Sequence, residues 1–210
     1  MSIALILTLS RILLGPLFLV VYLYYQDFGI SMTMLPYILL FLAVVSELSD
    51  AFDGAVARRQ NKVTDLGKLL DPMADSIFRL SVLLAFTQGF IKVPLLLVCV
   101  FFYRDTIIST LRTLCALRGY ALAARLSGKI KAVIQATIVF FILILMIPYS
   151  MGYLDIGLLK VISFYSVLFG AVYTIYSGTE YIFANRTYIK KALNMAGSTE
   201  KKKTESVNSL

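Results

Sequence analysis

Hydrophobic positions in this chain come in long blocks. Apolar stretches from Ile12 to Tyr25, Leu35 to Ser46, Ala132 to Tyr149 and Ile156 to Tyr176 approach or reach the ~20 residues that a helix needs to cross a ~30 Å hydrocarbon layer. Extending this reading over the whole sequence predicts six helices, at residues 4–25, 35–57, 70–89, 93–113, 130–149 and 156–183. Short loops, one central polar region and a tail take up the remainder, so no separate soluble domain fits. The expected organisation is a six-helix membrane domain over 1–185, followed by a basic tail over 186–210. The end of that tail is rich in Ser, Thr, Lys and Glu, a composition that buries too little apolar surface to offset ordering entropy, and it is expected to be disordered.

Basic residues set the orientation. The segments near 26–34 and 148–157 carry no Lys or Arg, and the one near 90 carries only Lys92. By contrast, Arg58, Arg59, Lys62 and Lys68 cluster between the second and third helices. Arg112, Arg118, Arg125, Lys129 and Lys131 cluster between the fourth and fifth, and the C-terminal segment adds Lys190, Lys191 and Lys201 to Lys203. Under the positive-inside rule these clusters face the cytoplasm, and an even number of spans puts both termini there too. No basic cluster precedes the first apolar run and no cleavage site follows it, so the first span is expected to stay in place.

Composition agrees. The chain is 59% hydrophobic and 15% charged, against about 45–50% and about 25% in soluble domains, which points to an all-α integral membrane protein. The net charge of +8 comes without a nucleic-acid-binding pattern, and anionic membrane lipid is the better partner. With no histidine in the sequence, a Ser-His triad is excluded. Cys99 and Cys115, sixteen apart and without a C-x-x-C pattern, read as inert buried thiols. Proton transfer near neutral pH therefore falls to carboxylates.

The informative segment is SDAFDGAVARRQNKVTDLGKLLDPMADS, Ser49 to Ser76. Asp50 and Asp53 are three apart, Asp71 and Asp75 four apart, so each pair shares a helical face. A short basic loop joins the two helices, and antiparallel packing would gather all four carboxylates near the cytoplasmic surface. Four uncompensated Asp side chains deep in a membrane would cost on the order of 10 kcal/mol, so positive charge must sit among them. Hard oxygen ligands suit Mg2+ or Mn2+, and a two-ion clamp suits displacement at phosphorus. Gly54, Ala57 and Gly67 would let a ligand approach the backbone, and Arg58 can grip a phosphate. The bland reading is small-residue helix packing with ordinary cytoplasmic anchors. Glu47, one turn before Asp50, reads as an interhelical hydrogen-bonding group. A different functional class, a cation pathway lined by intramembrane acids, fits the carboxylates alone.

Taken together, the order Asp50-x-x-Asp53-Gly54-x-x-Ala57-Arg58, eight residues, Gly67-x-x-x-Asp71-x-x-x-Asp75 resembles the signature of the CDP-alcohol phosphotransferases. The resemblance implies a six-helix, homodimeric membrane enzyme in which an alcohol attacks the β-phosphorus of a cytidine-activated donor and CMP leaves. It implies two Mg2+ or Mn2+ ions held by Asp50, Asp53, Asp71 and Asp75, with Asp75 also accepting the hydroxyl proton. Donor contacts would come from Asp50, Gly54, Ala57, Arg58, Thr64, Gly67 and Asp71. Leu7-Thr8-Leu9-Ser10-Arg11 is similar to the family's N-terminal donor-binding segment, which adds Thr8, although the Asn often found three residues before the Thr is Leu5 here.

Tyr103-Arg104-Asp105 to Leu111-Arg112, and Gly128-Lys129-Ile130-Lys131 to Gln135, resemble stretches of the family's phosphatidylglycerophosphate synthases. The implied donor is CDP-diacylglycerol, the implied acceptor glycerol 3-phosphate, and the implied location the inner (cytoplasmic) membrane. Arg104, Arg112, Lys129 and Lys131 are then candidates for the acceptor phosphate. Two departures loosen acceptor identity: Ser76 stands where many of these synthases have Lys, and Asp105 where Glu often follows the Arg. Inositol phosphate, serine, choline or phosphatidylglycerol thus remain alternative acceptors. Arg79, one turn after Asp75, is expected to supply the missing positive charge, tuning that carboxylate or binding the acceptor phosphate.

Overall fold

In hydrocarbon, backbone N–H and C=O groups must be satisfied within the segment, and a chain with long apolar blocks meets that demand as helices. The computed structural model describes residues 3–59, 65–120, 122 and 125–207, with side chains described at 10–49, 52, 73–120, 122 and 125–192. The helices are α1 (Ile3–Tyr24), α2 (Leu35–Arg59), α3 (Asp65–Thr87), α4 (Leu95–Leu117), α5 (Leu126–Ser150) and α6 (Ile156–Val207). Among the described residues, Leu126–Ser150 and Ile156–Ala192 are long and apolar enough to cross a membrane by length and composition. The apolar parts of α1 and α2, Ser10–Tyr24 and Leu35–Ser49, are shorter.

The number of helices is as expected, but several boundaries move. α3 starts at Asp65 rather than near 70, which puts Pro72 inside the helix, and α5 starts at Leu126 rather than near 130. α6 runs on to Val207, well past 183. Hydropathy marks only the apolar centre of a helix. Backbone bonding carries the helix outward through Lys, Glu, Ala and other good helix formers.

α1 packs on α2 and α3, while α4 and α5 pack on α6; contacts of α2 with α5, and of α3 with α4 and α5, join the two halves. Between helices in lipid the hydrophobic effect offers little, and close packing takes its place. Gly15 shows how close: a Cβ there would lie 2.9 Å from Ser81 Oγ and 3.3 Å from the Phe78 Cα, so α1 and α3 meet almost backbone to backbone. One turn further along α1, the Phe18 ring sits edge-on to Phe78 and Phe86, with centroids 6.2 and 6.4 Å away. Leu39, Ile142 and Leu143 are fully buried at the α2 and α5 side of the same core. Leu13, Phe41, Leu96 and Phe169 instead lie outward and exposed. In water such an apolar exterior would be an aggregation hazard; against lipid tails it carries no penalty.

Beyond this core, Ile189 and Ala192 of α6 bury against Cys115 and Leu111 of α4, with Tyr120 and Leu122 alongside. Both cysteines are free thiols. This contact ties the far part of α6 to the end of α4, where the α4–α5 connection begins.

Candidate active site

α3, α4 and α5 enclose a cavity of about 590 Å³, within the usual size range of small-molecule sites. α3 contributes Asp75, Ser76 and Arg79, α4 contributes Arg104, Asp105 and Arg112, and α5 contributes Lys129, Lys131 and Gln135, with Arg125 just before its first turn. Among the described residues six cationic side chains thus line the space against two carboxylates. Such an imbalance at low dielectric favours an anionic occupant.

The cations are not equivalent. Arg11, buried on α1, ion-pairs with Asp75 across the α1–α3 contact. Arg79 Nη2 donates to Glu47 Oε1 at 3.4 Å, linking α3 to α2. Arg125 Nε donates to Glu180 Oε1 of α6 at 2.9 Å, and Ser127 Oγ donates to the other oxygen of the same carboxylate at 2.5 Å. Arg112 lies against Tyr181, with its Nε 3.2 Å from the phenol oxygen and its guanidinium carbon 5.0 Å from the ring centroid. Among the described residues no carboxylate pairs with Arg112 or Lys129.

A polar network closes the inner end of the cavity. Asp105 accepts from Lys131 Nζ at 2.9 and 2.7 Å, from Ser76 Oγ at 2.9 Å and from Arg104 Nη1 at 3.0 Å. The third proton of Lys131 goes to Gln135 Oε1 at 2.7 Å. Arg104 keeps Nε and Nη2 buried without a protein partner, as does Gln135 at Nε2. The Arg104 stem passes so close to α6 that a Cβ on Gly178 would sit 3.0 Å from its Cγ.

These positions can be set beside the sequence reading. Arg79, Arg104, Arg112, Lys129 and Lys131 converge on one cavity with Asp75 at its edge. Ser76 and Asp105, the two departures from the resembled pattern, touch each other. Among the described residues a cation that meets Asp75 is Arg11, which carries no role in the sequence analysis, and Arg79 meets Glu47. Helical spacing could not have found Arg11, because its partner lies 64 positions away. Asp50, Asp53, Gly54, Ala57 and Arg58 fall on the C-terminal part of α2, Gly67 and Asp71 on the first turns of α3, and Thr8 on α1. The side chains at these positions are outside those described, and Thr64 lies outside the described residues altogether.

Comparison with known proteins supplies what this geometry leaves open. Residues 1–176 match the CDP-alcohol phosphatidyltransferase family. The chain belongs to that family. It is 31% identical over 195 residues to the CDP-diacylglycerol–glycerol-3-phosphate 3-phosphatidyltransferase of Bacillus subtilis, covering 88% of this chain and 95% of that one. Over 188 residues it is 29% identical to the protein of the same name in Rickettsia typhi, covering 87% and 96% of the two chains. Over 136 residues it is 31% identical to the Escherichia coli K12 protein of that name, covering 62% and 70%. Membership of this family makes the chain a membrane-associated phosphatidyltransferase of phospholipid synthesis. It also removes the cation-pathway reading, which the carboxylates alone had left open.

Proposed function

We propose that this enzyme transfers the phosphatidyl group of CDP-diacylglycerol to a hydroxyl of glycerol 3-phosphate, giving phosphatidylglycerophosphate and CMP. The observation that carries the reading is the cavity at Asp75, where among the described residues cations outnumber acids and Arg112 and Lys129 have no carboxylate partner. A small dianionic acceptor answers that charge. The likeness to proteins named for this acceptor, over most of both chains, supports the same choice.

The chemistry follows from where the groups stand in the sequence and in the cavity. The acceptor phosphate is drawn by Arg112 and Lys129, with Arg104, Lys131 and Arg79 adding to the field. The acceptor hydroxyl attacks the phosphorus next to the diacylglycerol ester, and its proton passes to Asp75. The bond from that phosphorus to the bridging oxygen breaks, and CMP departs with the electron pair. Thr8, Gly54, Ala57, Arg58, Thr64 and Gly67, with Asp50 and Asp71, hold the donor. Asp50, Asp53, Asp71 and Asp75 would hold two Mg2+ or Mn2+ ions, which when bound offset the pyrophosphate charge and polarise the reacting phosphorus. Asp75 suits that donor set, being a carboxylate 26% exposed at the cavity edge.

In this reading all six helices of the 1–185 domain span the inner membrane. Both termini and the active site lie at the cytoplasmic face, the basic 186–210 tail lies along anionic lipid, and two copies assemble as a homodimer. The test is CMP release by purified protein supplied with CDP-diacylglycerol, Mg2+ or Mn2+, and one acceptor at a time: glycerol 3-phosphate, inositol phosphate, serine, choline or phosphatidylglycerol. Release with glycerol 3-phosphate alone is expected, and a chelator should abolish it. Release only with another acceptor would replace the substrate named here, and release with none would overturn the reaction.

A further inference from the structure

The cavity floor poses a question that the charges around it do not answer. Gly128, Lys131 and Gln135 lie on one face of α5 at helical spacing, and beyond Gln135 that face turns apolar with Ile138, Val139 and Ile142. Gln135 is thus the last polar group before the hydrophobic core, and it is 2% exposed. Lys131 settles its orientation. An ammonium donates and cannot accept, so the carboxamide must turn Oε1 toward Nζ, as it does at 2.7 Å. Nε2 is left pointing away as an obligate donor, and among the described residues it has no partner. Buried donors without acceptors are costly, and native structures retain them where a ligand or water completes the bond.

The chemistry of the missing acceptor can be narrowed. Lys131 and Ser76 both engage Asp105, whose carboxylate therefore stands one residue contact from Gln135. Lys131 has no proton left for a phosphate there, since Asp105 and Gln135 take all three. The cations without acidic partners among the described residues, Arg112 and Lys129, stand elsewhere on the wall, Lys129 lying about 9 Å before Gln135 along the α5 axis. A neutral oxygen suits the Gln135 end and an anion the other.

We propose that Gln135 is a specificity-determining residue, donating from Nε2 to the secondary, C2 hydroxyl of the three-carbon phosphate acceptor while the primary hydroxyl reacts. Lys131 and Asp105 are positioning residues that hold its amide in this orientation. The inference rests on glycerol 3-phosphate as acceptor and goes beyond it by assigning the part of that molecule which Gln135 reads.

The test compares glycerol 3-phosphate with 3-hydroxypropyl phosphate, which keeps the reacting hydroxyl and the phosphate but lacks the C2 hydroxyl, in CMP-release assays of the full-length enzyme. The wild type is expected to prefer glycerol 3-phosphate by about 10- to 100-fold in kcat/KM. Gln135→Met should lose that preference to within about 3-fold by slowing only the glycerol 3-phosphate reaction, with the KM for CDP-diacylglycerol unchanged. Equal use of both acceptors by the wild type overturns the proposal, and so does a preference that survives in Gln135→Met. If that variant does not fold, Gln135→Glu, which keeps an oxygen for Lys131 but removes the donor, is expected to lose the preference in the same way, and a preference that survives in it overturns the proposal. Failure of the wild type to use glycerol 3-phosphate overturns the acceptor reading and this inference together, whereas use of it without preference sinks only the role of Gln135.

Discussion

Along α2 and α3 the chemistry is written at helical spacing, with Asp50 and Asp53 three apart and Asp71 and Asp75 four apart. Along α4 and α5 it is scattered: Arg104, Asp105 and Arg112 on one helix and Lys129, Lys131 and Gln135 on the next come together only when the helices pack. The first region sets its acids on shared helix faces, with Arg58, Arg59, Lys68 and Arg79 along the same two helices, whereas the second balances most of its charges internally. Lys131 spends every proton on protein oxygens and Arg79 turns to Glu47, while among the described residues Arg112 and Lys129 stay without a carboxylate. The proposed function divides along this difference, with donor activation assigned to the acid helices and the choice of acceptor to the few basic groups of the second region.

That division can be broken most directly at Asp75. Asp75→Asn keeps the shape but removes the proton acceptor, and turnover measured as CMP release should fall by about 10³-fold or more, within the span that acid–base groups contribute together with metal ligation. Full activity in that variant would remove Asp75 from the mechanism. On the other side, Asp105→Ala leaves the buried ammonium of Lys131 with only Gln135. The detergent-solubilised protein should lose about 3 kcal/mol of stability, read as a lowered midpoint of thermal unfolding. An unchanged midpoint would mean that the Asp105 network does not hold the α3–α4–α5 junction.

Arg112→Ala sharpens the comparison. The KM for glycerol 3-phosphate should rise by about 10- to 50-fold, with the KM for CDP-diacylglycerol near its wild-type value, and Arg112→Lys should recover only part of the loss. Equal damage to both substrates would make Arg112 a structural residue. The smallest effect is expected at Glu180→Gln, since the pair with Arg125 is partly exposed, at 24% and 46% for the two side chains. Solvated pairs of this kind contribute little to stability. A midpoint displaced as far as that of Asp105→Ala would show that the α5–α6 contact matters more than its exposure implies.

Much of this organisation was legible before folding. The apolar blocks located six helices because lipid demands them, yet misjudged their ends because polar residues extend a helix without changing the hydropathy signal. The aspartate pattern pointed to the family because neighbours on a helix face are fixed by backbone geometry alone. Arg11 with Asp75, Arg79 with Glu47, and Ser76 with Asp105 were not legible, since each pair joins separate helices and depends on how these cross.

The amino-acid order alone, then, determined the helices, the pairing of acids along α2 and α3, and the excess of cations near the α4–α5 turn. These are local properties, set by a rise of 1.5 Å per residue and by charge. Only the packed structure decided which cations are neutralised, which stay uncompensated, and which way the Gln135 amide turns. Those outcomes depend on distances between helices, where a shift of one or two ångströms exchanges one hydrogen-bond partner for another.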